Sequence, residues 1–199
     1  FGGRGMDEVA VSDNGIRPDT SLEQLAKLRP VFDRAYGSVT AGNSSPLTDG
    51  AAVVLLMGDD TARALGYRPL AYLRSYAVAA VDPAWQLLMG PVHAVPKALE
   101  RAGLAWEDVG LVEIHEAFAA QVLCTLAAWE SAEFCRERRG LERPLGAIDR
   151  ARLNVVGSSL AVGHPFAATG ARILATLAKL LERRGSGRGL ISICTAGGM

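Results

Sequence analysis

Cysteine is scarce in this chain: Cys124, Cys135 and Cys194 are odd in number and show no C-x-x-C spacing. A disulfide framework and a structural zinc site are both disfavoured, and reduced thiols in a cytoplasmic protein are expected. Net charge is missing too, with Lys plus Arg and Asp plus Glu at 21 each. No overall field draws the chain to nucleic acid or an anionic membrane, so an anionic ligand must be held by local groups. The longest clean apolar run, Ala51 to Met57, falls far short of the roughly 20 residues that span a bilayer. Phe1 to Gly5 have neither the basic start nor the apolar stretch of a signal peptide.

Phosphate-cradling motifs are also absent. No G-x-x-x-x-G-K-[ST] occurs and no strand pattern is followed by G-x-G-x-x-G, so nucleotide hydrolysis is disfavoured. No H-E-x-x-H or comparable ligand spacing suggests a metal. The basic stretches Arg136 to Arg143 and Arg183 to Arg188 are interspersed with Glu and Gly, which a solvated face explains.

What is present is a globular-sized chain of 199 residues, 49% hydrophobic and 21% charged. That suffices for one domain with a core, or for one domain and part of a second. Residues 1–19 are rich in Gly, Asp and Pro and read as loop. Thr20 and Ser21, each followed three residues later by Glu23 and Gln24, predict a short helix ended by Pro30. Residues 51–57 read as a buried strand, Asp59 or Asp60 as the cap of a brief helix closed by Gly66, and 70–81 as an alternating β-branched strand. Helices are predicted over 91–102, 117–130 and 167–184, and strands over 111–114 and 189–194. Such alternation implies an α/β fold, a parallel or mixed sheet covered by helices, with reactive residues at the carboxyl ends of strands.

Three side chains meet that expectation. His164 lies among small residues, Gly157-Ser-Ser-Leu-Ala-Val-Gly-His-Pro-Phe-Ala-Ala-Thr-Gly170, just before a long helix. The positive end of a helix dipole favours the neutral imidazole, the form that accepts a proton. Alone, such a histidine reads first as a capping or core residue; the packed glycines, which let ligand and backbone approach closely, favour function. Cys194 ends an apolar strand, the usual place of an inert thiol. The small residues after it, Thr195-Ala-Gly-Gly198, leave backbone N–H groups free to hold a ligand oxygen. His115, at a strand exit beside Glu116, reads equally as a surface histidine or a functional one. His93 reads as structural, Cys124 as helix packing and Cys135 as a surface or loop thiol.

In order and spacing these segments resemble the thiolase family, from about Val39 to Met199. The segment 40–52, Thr-Ala-Gly-Asn-Ser-Ser-Pro-Leu-Thr-Asp-Gly-Ala-Ala, is similar to the one that closes the family's N-terminal domain. His115-Glu-Ala-Phe118 resembles its Asn-Glu-Ala-Phe motif, Gly163-His-Pro165 its Gly-His-Pro, and Cys194 to Gly198 its Cys-x-x-Gly-Gly.

The resemblance implies a thiolase-like α/β fold with a mixed five-stranded-type sheet. Residues 1–67 would close the N-terminal domain and 68–199 would form the C-terminal domain, stopping before its last strand. It implies CoA-dependent cleavage of 3-ketoacyl-CoA to acetyl-CoA and a shortened acyl-CoA, or the reverse condensation, with coenzyme A as substrate and no cofactor or metal. His164 would activate the nucleophile and Cys194 would be the acid/base. His115, where most thiolases have Asn, would help an ordered water or the His164 imidazole form the oxyanion hole for the thioester enolate. The Ala196 N–H would serve a second oxyanion hole, and Ala41, Ser45 and Phe118 would contact the CoA arm.

His115 with Gly-His-Pro-Phe and Cys-Thr-Ala-Gly-Gly is most similar to thiolase subunits of fatty-acid oxidation complexes, which implies longer acyl chains, such a complex and a homo-oligomer, dimer or tetramer. Ser158 and Ala167 stand where the family often has Gly. The family's nucleophilic cysteine belongs to an N-terminal half not found here, so a fragment or one chain of a split enzyme is expected. Two other readings weigh less: a short-chain acetoacetyl-CoA-forming acetyltransferase, and a non-catalytic thiolase-like CoA or lipid binder, against which intact His164 and Cys194 argue. A decarboxylating ketoacyl synthase would need a second catalytic histidine motif, which is absent.

Overall fold

The computed structural model describes residues 11–199. The first ten residues of the segment read as loop lie outside the described residues; 11–19 are coil and turn. Helix α1 (Leu22–Leu25) starts as its capping pattern predicts, with the Ser21 hydroxyl accepting from the Gln24 N–H at 3.2 Å. A 3₁₀ turn, Ala41–Asn43, follows, capped by Thr40. Helix α2 (Asp59–Ala64) closes toward Gly66 at φ 74°, but its N-cap is Gly58, so Asp59 and Asp60 act in its first turn rather than as caps. A short helix α3 (Pro83–Gln86), capped by Asp82, precedes α4 (Gly90–Ala102), which ends on a left-handed Gly103.

Strand β1 (Leu111–Ile114) leads through His115 to Phe118 into α5 (Ala119–Glu130). Ser131 then caps α6 (Ala132–Arg139), a helix hidden in the sequence by its run of arginines. A single turn α7 (Ser159–Val162) and the long α8 (Ala167–Arg184) lead to β2 (Gly189–Ser192).

Strands β1 and β2 pair in parallel, Leu111 opposite Gly189 through Ile114 opposite Ser192. Successive side chains of a strand face opposite sides. Val112, Ile114 and Leu190 enter a core with Val92, Val95 and Leu99 of α4 and Val122, Leu126 and Trp129 of α5. Glu113 and His115 fall on the other side, which α8 covers. Trp129 is fully buried and meets Trp106 edge-on at 5.2 Å.

The predicted strands at 51–57 and 70–81 do not form. Half-buried Ser75, Ala77, Ala79 and Val81 do alternate with exposed Tyr76, Val78 and Ala80, as a one-faced strand would. A strand also needs a ladder partner, and none runs beside either segment among the described residues. Residues 75–81 are tied instead to α4 and the C-terminal turn: Ser75 Oγ donates to Ala98 O at 2.6 Å and Val81 N to Gly198 O at 2.7 Å.

The thiols at 124 and 135 are also reversed relative to expectation. Cys124 is exposed on α5, whereas Cys135 is fully buried against the Ala128 and Trp129 carbonyls because α6 folds back over α5. No helix among the described residues is long and apolar enough to cross a membrane.

Candidate active site

His115 follows β1 directly, and its N–H donates to Ser192 O at 2.9 Å, extending the ladder by one bond. Cys194 stands two residues beyond the end of β2. Both therefore leave neighbouring parallel strands at their carboxyl ends, where open α/β sheets place ligands.

His164 arrives from the other side, on the loop between α7 and α8. Its N–H donates to Pro46 O at 2.9 Å, and Leu47 bridges to it. This docking requires glycine at 163, whose φ is 88° and where a Cβ would collide with the Thr48 side chain. At Gly50 a Cβ would come within 2.8 Å of the Pro165 ring. The segment 45–50 is thus packed directly on the Gly-His-Pro loop.

The two imidazoles meet, ring centres 4.2 Å apart and tilted by 47°. The surface-histidine reading of His115 is excluded, since only 2% of it is exposed. Its Nδ1 lies 2.7 Å from Ser159 Oγ, to which Arg172 also donates at 2.9 Å. His164 Nδ1 lies 2.7 Å from Thr169 Oγ1, in the first turn of α8, and its ring meets Phe166 edge-on at 4.8 Å. Phe166 holds a positive φ of 24°.

Half-buried Glu116 accepts from Asn154 Nδ2 at 2.7 Å and from the Leu160 N–H at 3.0 Å. Asn154 in turn pairs with both backbone groups of Ile114. The strand exit before His115 is thereby clamped to the loop that carries Ser159.

Burial sets the charges. His115 is pushed down to about 4, mainly by desolvation and further by His164 and Arg172. His164 is also lowered, by desolvation and then by Arg172. Cys194 is pushed up to about 11 by burial. At neutral pH the site therefore holds two neutral imidazoles and a protonated thiol. Behind His115, buried Glu113 is raised to about 7 by desolvation, reinforced by Glu116 and opposed by Arg172.

The remaining expected residues surround this pair unevenly. Ser45 N and Oγ both donate to Ala117 O, at 3.0 and 3.2 Å, and Ser44 bridges to Phe118, whose ring meets Phe32 at 6.0 Å. Ala41 lies exposed on the 3₁₀ turn and makes no hydrogen bond to the other site residues. The exposed Ala196 N–H has no acceptor among the described residues, in a turn where Gly197 and Gly198 adopt φ of 95° and 93°. No hydrogen bond joins Cys194 to either imidazole among the described residues. His93 is half-buried on α4, apart from this cluster. No group of three metal-ligating side chains occurs among the described residues.

Sequence reading missed Ser159, Thr169, Arg172, Glu113 and Asn154. The only signal was positional: Ser159 and Thr169 flank the histidine loop five residues to either side.

A family model described as the thiolase C-terminal domain matches residues 67–199, and one described as the thiolase N-terminal domain matches residues 2–60. The chain is 54% identical over 187 residues to a 3-ketoacyl-CoA thiolase of Shewanella loihica, covering 94% of this chain and 43% of that protein. A 3-ketoacyl-CoA thiolase of Pseudoalteromonas atlantica gives the same identity and shares. Among solved structures, the Bacillus anthracis acetyl-CoA acetyltransferase superposes with a TM-score of 0.77 at 42% identity, over 92% of this chain and 41% of that one. Human mitochondrial 3-ketoacyl-CoA thiolase in complex with CoA gives 0.71 at 36% identity, over 92% and 41%. The chain thus spans less than half the length of the relatives it matches.

Proposed function

The chain belongs to the thiolase family, and we propose that it supplies the proton-moving half of a 3-ketoacyl-CoA thiolase, an acetyl-CoA C-acyltransferase. One observation carries this reading: His115 and His164 meet at 4.2 Å, at the strand ends from which Cys194 also emerges. The acyl-carrying cysteine comes from a thiolase N-terminal half, in the same chain or a partner chain. The two together are the complete enzyme.

In the cleavage direction His164, neutral at pH 7, takes the proton of that cysteine as general base. The thiolate attacks the 3-keto carbon, and the bond between C2 and C3 breaks with its electron pair passing to the acetyl-CoA enolate. His115 helps hold the enolate oxygen, directly or with His164 and an ordered water. The Cys194 thiol, kept protonated by burial, delivers its proton to C2. Coenzyme A then takes the acyl group: its thiol returns a proton to Cys194 as it attacks, the oxyanion of the tetrahedral intermediate accepts from the free Ala196 N–H, and the departing cysteine thiolate regains its proton from His164. Splitting the exchange in two replaces one difficult displacement by two easier ones. Ala41, Ser45 and Phe118 line the path of the pantetheine arm.

Longer acyl chains, with a place in a fatty-acid oxidation complex and a homo-oligomeric assembly, are the reading favoured by His115 and by relatives named 3-ketoacyl-CoA thiolase. The test follows loss of the 3-ketoacyl-CoA and of free CoA thiol, with acetyl-CoA formation, by the complete enzyme on acetoacetyl-CoA and on longer 3-ketoacyl-CoA. CoA-dependent cleavage, faster on the longer substrates, is expected. No cleavage of any chain length by the parental enzyme would overturn the assignment, and cleavage of acetoacetyl-CoA alone would favour the short-chain reading.

A further inference from the structure

The buried face of β1 opposite the main core carries a run of polar groups that the proposed reaction does not use. Arg172, on the second turn of α8, donates from Nη2 to Ser159 Oγ at 2.9 Å, and Ser159 Oγ lies 2.7 Å from His115 Nδ1. Ser159 is fully buried.

The direction of this chain follows from what each group can do. A guanidinium only donates, and is never deprotonated in a protein. Ser159 therefore spends a lone pair on Arg172 and still has one O–H to place. Among the described residues its sole other hydrogen-bond partner is His115 Nδ1. Were Nδ1 itself protonated, both neighbours of the hydroxyl would be donors and its proton would be enclosed with no acceptor. The satisfied arrangement runs guanidinium to hydroxyl to Nδ1, leaving the ring proton on Nε2.

We infer that Arg172 and Ser159 are a positioning pair that locks His115 in the Nε2–H tautomer, presenting a fixed donor to the substrate oxygen. The inference rests on His115 as an oxyanion donor. The open end of the chain fits: His115 Nε2 makes no hydrogen bond among the described residues, yet is not one of the fully enclosed, unpartnered polar atoms. The low proton affinity of His115 keeps the ring neutral, so that a single tautomer can be specified at all.

The test reads the tautomer directly, by two-bond proton–nitrogen correlation spectra of the histidine rings in the complete enzyme without substrate. In the parental protein the His115 proton is expected on Nε2, with Nδ1 bare. Finding it on Nδ1 would overturn the inference whether or not any variant folds. Ser159→Ala and Arg172→Met should each populate the other tautomer; an unchanged ring pattern in both would also overturn it.

Kinetics supply the second reading. Ser159→Ala should lower kcat for thiolysis on the order of 10-fold, a fraction of the loss from removing an oxyanion donor outright, with KM within twofold. A rise in KM with kcat unchanged would show a substrate-binding role instead and sink the proposal. A parental enzyme that shows the Nε2–H tautomer but no thiolysis would fault the proposed activity and leave the tautomer assignment standing.

Discussion

Under the proposed function His164 and Cys194 serve different steps, so truncating each should stop a different one. His164→Ala in the complete enzyme should slow acyl transfer onto the nucleophile by roughly 10²- to 10⁴-fold, the loss expected of a general base. Cys194→Ala should still accept a radiolabelled acetyl group, yet fail to wash deuterium from heavy water into the methyl group of acetyl-CoA. Exchange at the parental rate would make Cys194 a structural thiol. Beneath them, Glu113 sets a pH dependence of stability. Its folded pKa, about 7, lies above its ordinary 4.5, so the native state favours the protonated form and stability falls as pH rises from about 4.5 through 7. Glu113→Gln should recover up to about 3 kcal/mol above pH 7 and nothing below pH 4; equal unfolding midpoints for variant and parent at pH 8 would refute this. His115 acts at the acid end, where a folded pKa of about 4 against 6.5 lowers stability as pH falls through that window. That His115 and Cys194 leave neighbouring strand ends was legible, because apolar runs and glycines mark those ends. Ser159, Arg172 and Glu113 were not, because a polar residue on a covered strand or helix face looks like any solvated one until the opposing element is placed.

Helices were read more accurately than strands for a physical reason. A helix satisfies its own backbone, so its signals are local, and Ala167–Arg184 has the predicted ends. A strand is defined by a neighbour that the segment does not contain, which is why 51–57 and 70–81 show strand-like composition without a ladder. Helix α4 shows a local rule being broken and repaired at a distance. Pro96 lies inside it and has no N–H to offer Val92 O, the carbonyl four residues back. Arg139, at the end of α6, donates Nη1 to that carbonyl at 2.6 Å. Arg139→Met should therefore cost about 1–2 kcal/mol, since Val92 is fully buried and its carbonyl would go unpaired. The cost should shrink when Pro96→Ala restores the helical N–H. Equal effects of Arg139→Met with Pro96 and with Ala at that position, measured by denaturant unfolding, would rule out the repair.

At the scale of the whole molecule the apolar surface is distributed unevenly. Val53 is 90% exposed and Leu47 73%, and Leu55, Leu56, Leu65, Tyr72, Leu73, Tyr76 and Val78 are all exposed in the same stretch of chain. Single exposed apolar side chains are ordinary, but so many within about 30 residues are not what a free monomer shows. Residues 51–57 also offer backbone groups to any passing strand. The solved relatives are more than twice as long, and under the proposed function a thiolase N-terminal half would cover these side chains. Under the proposed function the nucleophile lies outside these thiols: Cys124 is exposed on α5, Cys135 is sealed under α6, and buried Cys194 is assigned the proton transfer at C2. The 199 residues expressed alone should therefore self-associate and show no CoA-dependent cleavage of acetoacetyl-CoA or longer 3-ketoacyl-CoA. Co-expression with a cysteine-bearing thiolase N-terminal half should yield a soluble complex and restore cleavage. A monodisperse, cooperatively unfolding chain in sedimentation and denaturation experiments would show that the apolar face needs no cover. Turnover above background by that chain would show that a cysteine within it carries the acyl group.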